Sequence, residues 1–483
     1  MQDSFEAVIG LEIHAQIATK SKMFCRCSSD AFFSEPNMNT CPVCMGFPGQ
    51  LPVINREAFL KGIKTALSLH LEIPAFSKFD RKNYFYPDLP KGFQISQFDQ
   101  PISKNGWLEI NADGEKKRVR ITRLHLEDDA GKLTHIASGT LCDYNRSGIA
   151  LMEIVSEPDM HSASEAVAYA REIQTILRYI QTSDADMEKG MMRFDASVSI
   201  RKKGAQNLNP RAEIKNLNSF KSLEAAIEYE IKRQTVLYLE GQPLSGNITV
   251  GWTDEEQKTF FLRDKEGADD YRYFPEPDLP PLIVTPAILE GLQREIPELP
   301  GEKSEKYKNE YKLSASEAML ISSDLNLARY FEELVATTAD PKKSAAFLTT
   351  ILIGRLNKDD LPLQKCKITA AMLAKLITLV NEGKISMNIA KSEIFEAMYE
   401  QGKDPEQIIR EKNLGHMEDS SEIEKICGEV ITENAKSAED FRNGKEAALQ
   451  FLVGQVMRKT RGQAAANLVQ QILQKLLQKN TKK

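Results

Sequence analysis

The sequence predicts an α+β protein with a sheet-rich N-terminal part and a helical C-terminal part. Residues 1 to about 290 contain short β-like runs separated by Gly, Pro, Asn and Asp, with only two long helical patterns. The stretch FPEPDLPPLIVTP (274–286) is dense in proline and ends this pattern. After it, apolar residues recur at helical spacing almost to the C-terminus. Because strands and helices do not alternate regularly, we expect a mixed antiparallel sheet rather than a series of βαβ units.

The opening stretch VIGLEIHAQI (8–17) alternates as a strand with one buried face does. The apolar residues of that face are Ile9, Leu11, Ile13, Ala15 and Ile17. Glu12, His14 and Gln16 fall on the opposite face. The strand therefore carries a carboxylate and an imidazole on the same side.

Two helices are predicted within the sheet-rich part. The first follows HSASEAVAYAREIQTILRYI (161–180), where Ser162 and Glu165 have the spacing of a capping box. The second follows KSLEAAIEYEIKRQTVLYLEGQ (221–242), where Gly241 provides a stop signal. Both predictions depend on apolar residues that recur every three to four positions.

A chain of 483 residues is too long for one typical core, so we expect more than one domain. The proline-dense break and a weaker break near KDPEQIIREKNLG (403–415) predict three domains. They comprise residues 1–292, which carry the candidate site, residues 293–405, which are helical, and residues 406–483, a helical tail.

Composition narrows the class of protein. A hydrophobic share of 41% with 27% charged residues is ordinary for a soluble protein, and no apolar run approaches the ~20 residues of a membrane span. The N-terminus lacks the layout of a signal peptide, which favours a cytoplasmic location without membrane partners. Seven cysteines, an odd number, argue against a disulfide scaffold.

The C-terminal tail is basic on an otherwise acidic chain. From residue 441 onward, nine Lys or Arg residues face one acidic residue, Glu446, although the whole chain carries −6. Within it, KTRGQAAANL (459–468) and the preceding Arg458 place three cations around Gly462, just before a predicted helix. A basic loop at a helix N-terminus favours a phosphate site, although a solvated terminal helix explains the charge equally well.

A cysteine cluster lies in FCRCSSDAFFSEPNMNTCPVC (24–44). Cys25 and Cys27 form one short pair, and Cys41 and Cys44 form a second pair after 13 intervening residues. Two such pairs supply the four soft donors of tetrahedral zinc, and a closed site of four thiolates would be structural. The alternatives are four reduced buried thiols or a redox pair.

Acidic residues are scattered through the sheet-rich part. RLHLEDDAGK contains His125, Glu127, Asp128 and Asp129, and ALMEIVSE places Glu153 inside an apolar run. An unpartnered carboxylate there would be costly, so Glu153 needs a cation or donor. Oxygen donors with an imidazole suit Mg²⁺ or Mn²⁺, and buried ion pairs explain the carboxylates just as well.

Cations and aromatic residues alternate in KFDRKNYFYPDLPKGFQISQ (78–97), which includes Arg81, Lys82 and Lys91. These cationic and aromatic side chains could bind a nucleotide or a nucleic-acid end, or they could belong to a structured surface loop. The chain contains neither a P-loop nor a dinucleotide-binding glycine motif. Any phosphate chemistry would therefore use another arrangement.

These stretches together resemble the B subunits of the tRNA-dependent amidotransferases that act on aspartyl- or glutamyl-tRNA. The matching motifs run in order along the chain and include VIGLEIHAQIATKSKMFC, CPVCMGFPGQLPVIN, KFDRKNYFYPDLPKGFQISQFDQPI, TRLHLEDDAGK, DYNRSG, EIVSEPD, EIKNLNSF, DDYRYFPEPDLPPL and FLVGQVMRKTRGQA. Departures are NITVGWTD, where the family commonly has QETR, and Phe194 and Ser197, where Cys and Asn are usual.

The resemblance implies a glutamine-synthetase-like cradle as the N-terminal domain and a heterotrimer with A and C subunits. Proteins of this kind bind misacylated tRNA(Gln) or tRNA(Asn) and phosphorylate the side-chain carboxylate with ATP and Mg²⁺. Ammonia that the A subunit releases from glutamine then displaces the phosphate.

The resemblance also implies roles for particular residues. The magnesium positions are Glu12, His14 and Glu153, and the zinc positions are Cys25, Cys27, Cys41 and Cys44. The positions at the catalytic centre or ammonia route are Lys82, Lys91 and Asp128, where the family usually has Glu and where Glu127 is an alternative. The tRNA-contacting positions are Lys459, Arg461, Gly462 and Gln463.

Two other functions stay open at this stage. One is a non-catalytic zinc protein that binds tRNA and uses its carboxylates for structure alone. The other is a stand-alone ligase that uses free ammonia. The chain contains no glutaminase motif, which favours dependence on a partner subunit.

Overall fold

The computed structural model describes residues 5–264, 268–412, 414, 420–460, 463–464 and 466–479. The chain divides into two compact units, residues 1–299 and residues 300–483. The first unit is sheet-rich and the second is helical, which confirms the predicted α+β class.

Among the described residues, all the strands lie in the first unit. They are β1 (Phe5–Gln16), β2 (Phe76–Ser77), β3 (Asp80–Asn83), β4 (Phe93–Ser96), β5 (Ser103–Ala112), β6 (Glu115–Asp128), β7 (Lys132–Ile136), β8 (Gly139–Asp143), β9 (Ala150–Ser156), β10 (Met192–Lys202), β11 (Ala212–Leu217), β12 (Ile248–Thr253), β13 (Lys258–Asp264), β14 (Phe274–Pro275) and β15 (Leu282–Ile283). NITVGWTD thus contributes β12, and Phe194 and Ser197 lie in β10.

Eight strands form the main sheet in the order β13-β12-β11-β10-β1-β9-β6-β5. Every neighbouring pair is antiparallel except β11 and β12, which are parallel. β14, β3 and β4 form a separate small sheet, and β7 pairs with β8 as a hairpin. The long first strand β1 therefore lies in the interior of the sheet, between β9 and β10.

The helices of this unit are α1 (Arg56–Ser68), α2 (Ala163–Tyr179), α3 (Phe220–Leu239) and α4 (Pro286–Glu295). α2 begins after Ser162, whose hydroxyl accepts a hydrogen bond from the Glu165 N–H, and α3 is followed by Gly241 at φ +74°. Both helices share one hydrophobic cluster with Ile9, Leu11 and Ile13, which are all buried. The predicted apolar face of β1 is therefore confirmed, and Glu12 and His14 project from the opposite face.

The described part of the second unit contains no strands and consists of helices. They are α5 (Pro300–Asn309), α6 (Ala315–Ser322), α7 (Leu325–Thr338), α8 (Pro341–Ala346), α9 (Ile353–Lys358), α10 (Ala370–Asn381), α11 (Met387–Ile389), α12 (Phe395–Gln401), α13 (Pro405–Lys412), α14 (Ser420–Glu433), α15 (Ala435–Arg442), α16 (Glu446–Lys459) and α17 (Ala466–Lys479). In the described ranges, no helix is both long and apolar enough to span a membrane.

Two hydrophobic clusters divide these helices. One contains buried residues between Tyr307 and Leu414, and the other contains buried residues between Ile423 and Leu477. The predicted boundary between residues 405 and 406 stays a proposal. It falls within α13, whose Ile408 belongs to the first of these clusters, and the two clusters separate between Leu414 and Ile423. The boundary predicted after residue 292 falls within α4, whereas the first compact unit continues to Leu299.

Candidate functional site

The first group of candidate ligands is assembled by three adjacent strands. The strand register places His14 of β1 opposite Glu153 of β9, and Glu153 opposite His125 of β6. Glu153 Oε2 lies 3.3 Å from Nε2 of both histidines. Glu127, two residues after His125 and so on the same face of β6, approaches His14 Nε2 to 3.9 Å. We call His14, Glu127 and Glu153 the first cluster.

The opposite charges of the first cluster stabilise one another although the side chains are buried. Glu127 and Glu153 are only 2% and 7% exposed. Burial opposes ionisation of Glu153, but His125 and His14 hold the pKa of its carboxyl well below the usual range. Burial likewise opposes charging of both histidines, yet Glu153 raises the pKa of each imidazole. The group therefore favours ionised carboxylates.

A second cluster lies on β1, β10 and β11 and consists of Glu12, Asp195 and Glu213. Glu12 faces Asp195 in the antiparallel register, and the ligand oxygens of all three lie within 4.8 Å of one another. The Lys215 ammonium forms ion pairs with both Asp195, at 2.7 Å, and Glu213. The second cluster thus contains a cation from the protein itself.

A β-bulge directs Lys215 into the second cluster. The register between β10 and β11 shifts so that Lys215 and Asn216 together oppose Asp195. Asn216 adopts φ +61° and donates its N–H to Asp195 Oδ1 at 3.0 Å. Burial opposes ionisation of Asp195, but Lys215 lowers the pKa of that carboxyl. Burial and the nearby Glu153 raise the pKa of Glu12.

Both clusters face one cavity of about 260 Å³. Its other lining residues include Lys82 and the aromatic side chains of Phe98, Tyr271 and Tyr273. The rings of Phe98 and Tyr273 stack at 4.2 Å, and Lys82 Nζ lies 5.0 Å from the centre of the Tyr271 ring. Burial opposes charging of Lys82, but Glu127 raises the pKa of this lysine. The cavity therefore combines two acidic clusters, cations and a flat aromatic wall.

Lys91 and Asp128 lie together in a different cavity. They form an ion pair, and the backbone N–H of Ile95 donates to Asp128 Oδ1 at 2.8 Å. This cavity, of about 210 Å³, is also lined by Arg81 and by residues of the cysteine loop. Asp128 follows Glu127 directly on β6, so the two carboxylates point to opposite faces of the strand. The shorter Asp side chain nevertheless reaches Lys91.

Strand β4 connects the surroundings of these two carboxylates. Gln94 donates to the backbone oxygen of Asp128 at 2.8 Å, and Ser96 donates to Glu127 Oε2 at 3.3 Å. Both side chains are buried. Ile95 lines the Lys91 cavity, so Gln94 and Ser96 lie on the opposite face of β4, where they bond the backbone behind Asp128 and the Glu127 carboxylate of the first cluster.

The four clustered cysteines come together in the fold. The sulfurs of Cys25, Cys27, Cys41 and Cys44 lie within 4.8 Å of one another, and Cys41 and Cys44 are 3.9 Å apart. Tetrahedral zinc with bonds of about 2.3 Å needs sulfurs separated by roughly 3.8 Å, so the donor set fits. A hydrogen bond from Cys25 lowers the pKa of Cys44 to about 4, whereas burial raises the pKa of Cys27 to about 11.

The proposed tRNA contacts are only partly described. Lys459 is the last residue of α16, and its ammonium bonds Glu429 at 3.0 Å and Glu433 at 2.7 Å. Gln463 donates its backbone N–H to Thr460. Arg461 and Gly462 lie outside the described residues. The role of all four in tRNA binding stays a prediction.

The structure regroups the residues that the sequence singled out. His14 and Glu153 lie in the first cluster with Glu127, whereas Glu12 lies in the second, and Lys82 reaches the same cavity. Lys91 and Asp128 lie elsewhere. Sequence reasoning missed Asp195, Glu213 and Lys215. Asp195 gave no such signal as Glu153 did, because MRFDASVSI alternates apolar and polar residues and Asp195 falls at one of its polar positions.

Comparison with known proteins agrees with this architecture. The family model described as the GatB/GatE catalytic domain matches residues 7–290, and the GatB domain matches residues 329–477. These matches define a catalytic unit of the GatB/GatE class followed by a second family-specific domain.

Individual relatives specify the family further. The B subunit of the aspartyl/glutamyl-tRNA(Asn/Gln) amidotransferase from Carboxydothermus hydrogenoformans is 45% identical, over 98% of this chain and 99% of the relative. The corresponding protein of Moorella thermoacetica is 46% identical, over 98% and 100%. The chain therefore belongs to the family of amidotransferase B subunits, which are components of a ligase.

Proposed function

We propose that the chain activates the side-chain carboxylate of misacylated Glu-tRNA(Gln), Asp-tRNA(Asn) or both by ATP-dependent phosphorylation, and then amidates it. It would do so in the cytoplasm, in a heterotrimer with A and C subunits, using ammonia that the A subunit releases from glutamine. This proposal rests on one observation: residues of both acidic clusters line the same cavity as Lys82. A purely tRNA-binding protein has no need of such a cavity.

The reaction consists of two balanced steps. An oxygen of the substrate carboxylate attacks the γ-phosphorus of ATP, and ADP leaves with the electron pair of the broken bond. Ammonia then attacks the carbonyl carbon of the acyl phosphate, loses a proton, and inorganic phosphate leaves. The amide product is Gln-tRNA(Gln) or Asn-tRNA(Asn).

The residues of the cavity suit the first step. Mg²⁺, held by Glu12, His14 and Glu153 with Glu127, Asp195 and Glu213, would neutralise charge on the phosphates. Lys82 and Lys215 add positive charge beside these carboxylates and would orient the anionic substrates. The stacked Phe98 and Tyr273 offer a flat wall that limits the water around the reacting groups.

The Lys91–Asp128 cavity suits the delivery of ammonia. Beyond the cavity, across β4, Gln94 and Ser96 are buried beside Asp128 and Glu127, and their side chains can donate and accept hydrogen bonds to a small polar molecule. The four cysteines would hold structural zinc in the wall of this cavity, because Cys25 and Cys44 are among its lining residues. The helical tail, with Lys459 and its neighbours, would contact tRNA.

The test is ATP hydrolysis by the chain in complex with its A and C subunits, with Mg²⁺ and with or without glutamyl-tRNA. We expect turnover that requires the charged tRNA and that disappears in Glu12→Ala. Binding of tRNA without tRNA-dependent turnover would instead support a binding module. Full activity of the chain alone with ammonium salts would support a stand-alone ligase.

The ammonia route makes a separate prediction. In Asp128→Asn, glutamine-dependent amidation should fall about tenfold, because the altered ion pair with Lys91 disturbs the cavity, whereas amidation supported by ammonium salts should be nearly unchanged. Both rates are measured on the complex, with the exposed Asp113→Asn as control. An equal loss with both nitrogen sources would contradict the route.

A further inference from the structure

Lys22 is a lysine without any exposed surface, on the segment that follows β1. Its ammonium has two hydrogen-bond partners, the Tyr144 carbonyl oxygen at 3.2 Å and Cys44 Sγ at 3.8 Å. Within the described residues, no carboxylate forms an ion pair with it. Fully buried lysines are rare unless they are paired, so this ammonium needs an anion.

The cysteine cluster is the anion that the geometry offers. A carbonyl oxygen supplies only a partial charge, whereas four thiolates around one divalent cation carry a net charge of −2. The buried ammonium offsets half of that charge and donates an N–H···S hydrogen bond. Four neutral thiols would leave Lys22 buried and uncompensated.

The packing around Lys22 allows little displacement. Gly148 adopts φ +88°, and a Cβ added there would lie 3.3 Å from Cys44 Cβ and 3.5 Å from Lys22 Cδ. The neighbouring Met23 donates its N–H to the Gly148 carbonyl oxygen at 2.8 Å. Gly148 precedes β9, the strand that carries Glu153. The lysine therefore connects the cysteine cluster to the segment that leads into the first cluster.

We propose that Lys22 is a positioning residue that serves as the counter-ion of the metal-loaded four-cysteine cluster and retains its metal. This inference rests on the proposed zinc site. Partners outside the ligand shell typically change metal affinity about 10–100-fold. Removal of the ammonium should therefore speed the loss of zinc without removing a ligand.

The experiment compares Lys22→Met with Lys20→Met in the complex with the A and C subunits. Lys20 is exposed, so its variant removes the same charge two residues away. We expect zinc release to a chelator to be at least about tenfold faster in Lys22→Met and unchanged in Lys20→Met. Release at the wild-type rate in both variants would overturn the inference.

Cobalt provides a readout that local unfolding alone would not reproduce. With Co²⁺ in place of zinc, loss of the positive charge raises the energy of the sulfur electrons. The sulfur-to-cobalt absorption band should therefore move to longer wavelength in Lys22→Met and stay in place in Lys20→Met. A band that does not move in Lys22→Met would contradict a direct electrostatic role.

Chemical labelling of the unmodified sequence keeps the inference testable if Lys22→Met fails to fold. In the zinc-loaded complex, an amine-reactive reagent should modify Lys20 but not Lys22, and chelation of zinc should make Lys22 reactive. Protection of Lys22 after chelation would overturn the inference. Wild-type protein that holds neither zinc nor cobalt would instead overturn the zinc site itself.

Discussion

The two acidic clusters on one face of the main sheet contain similar carboxylates but different counter-charges. In the first cluster, Glu127 and Glu153 contact His14 and His125, which can lose their protons and act as metal ligands. In the second cluster, Asp195 and Glu213 contact Lys215, whose pKa is raised well above its usual value by Asp195 against the opposing effect of burial. The first cluster can therefore exchange protons for a metal ion, whereas the second already contains a permanent cation.

The largest effect is expected from breaking the first cluster. Glu153→Gln removes the carboxylate that contacts both histidines, so tRNA-dependent ATP turnover of the complex should fall at least about 100-fold. Binding of tRNA, measured by filter retention, should be unchanged. The exposed Glu115→Gln serves as control. Turnover within a factor of three of the wild type would make the cluster structural.

The second cluster should respond to loss of its own cation. In Lys215→Met, three carboxylates lose their counter-charge, and the free energy of unfolding in chelator should fall by about 1–3 kcal/mol. Added Mg²⁺ should restore more stability to this variant than to the wild type, because no ammonium then competes with Mg²⁺ for the carboxylates. Urea unfolding with and without Mg²⁺ measures both effects, with the exposed Lys221→Met as control. Equal stability of variant and wild type in chelator would refute the role of Lys215.

The pH dependence of the metal-free protein should separate the clusters further. Burial opposes charging of His14 and His125, but Glu153 holds the pKa of both above the usual 6.5. Groups with raised pKa values stabilise the fold fully below pH 6.5, and this contribution is lost as pH rises through the raised values. The free energy of unfolding in chelator should therefore decline above pH 6.5, and less so in Glu153→Gln. A steeper decline in the variant would mean that Glu153 does not raise the pKa of the two histidines.

The smallest effect is expected far from both clusters, in the tail. Because Lys459 already bonds Glu429 and Glu433, Lys459→Ala should weaken tRNA binding only about two- to threefold and reduce the salt dependence by less than one phosphate contact. Affinity measured at two salt concentrations tests this, with Lys445→Ala, whose lysine is likewise paired with Asp440, as control. A tenfold loss of tRNA affinity would mean that Lys459 leaves Glu429 and Glu433 and bonds a phosphate of the bound tRNA.

Local patterns made the elements predictable. The alternation in β1, the Ser162 cap of α2 and the proline-dense break are properties of neighbouring residues, and the structure confirms the strand and both helices. The grouping of the four cysteines could also be anticipated, because each pair occupies one short turn. Such features need no knowledge of how distant segments meet.

The clusters themselves depend on strand register, which one sequence does not contain. Glu12 and His14 share a strand, yet neighbouring strands place them in different clusters, with Asp195 beside one and Glu153 beside the other. The bulge that brings Lys215 to Asp195 is equally invisible without the pairing of β10 and β11. Which residues share a cluster therefore depends on pairing between strands that lie nearly 200 residues apart in the chain, such as β1 and β10.

Strand β1 also fixes the interval between the two clusters. It supplies Glu12 to one and His14 to the other, and two residues of extended chain span roughly 6.5 Å. Packing changes can tilt or twist a sheet, but this interval is set by covalent bonds and hardly varies. A small molecule built with two chelating groups at that spacing could therefore engage both clusters at once, and substitutions in the surrounding core would not easily change the dimension that it recognises.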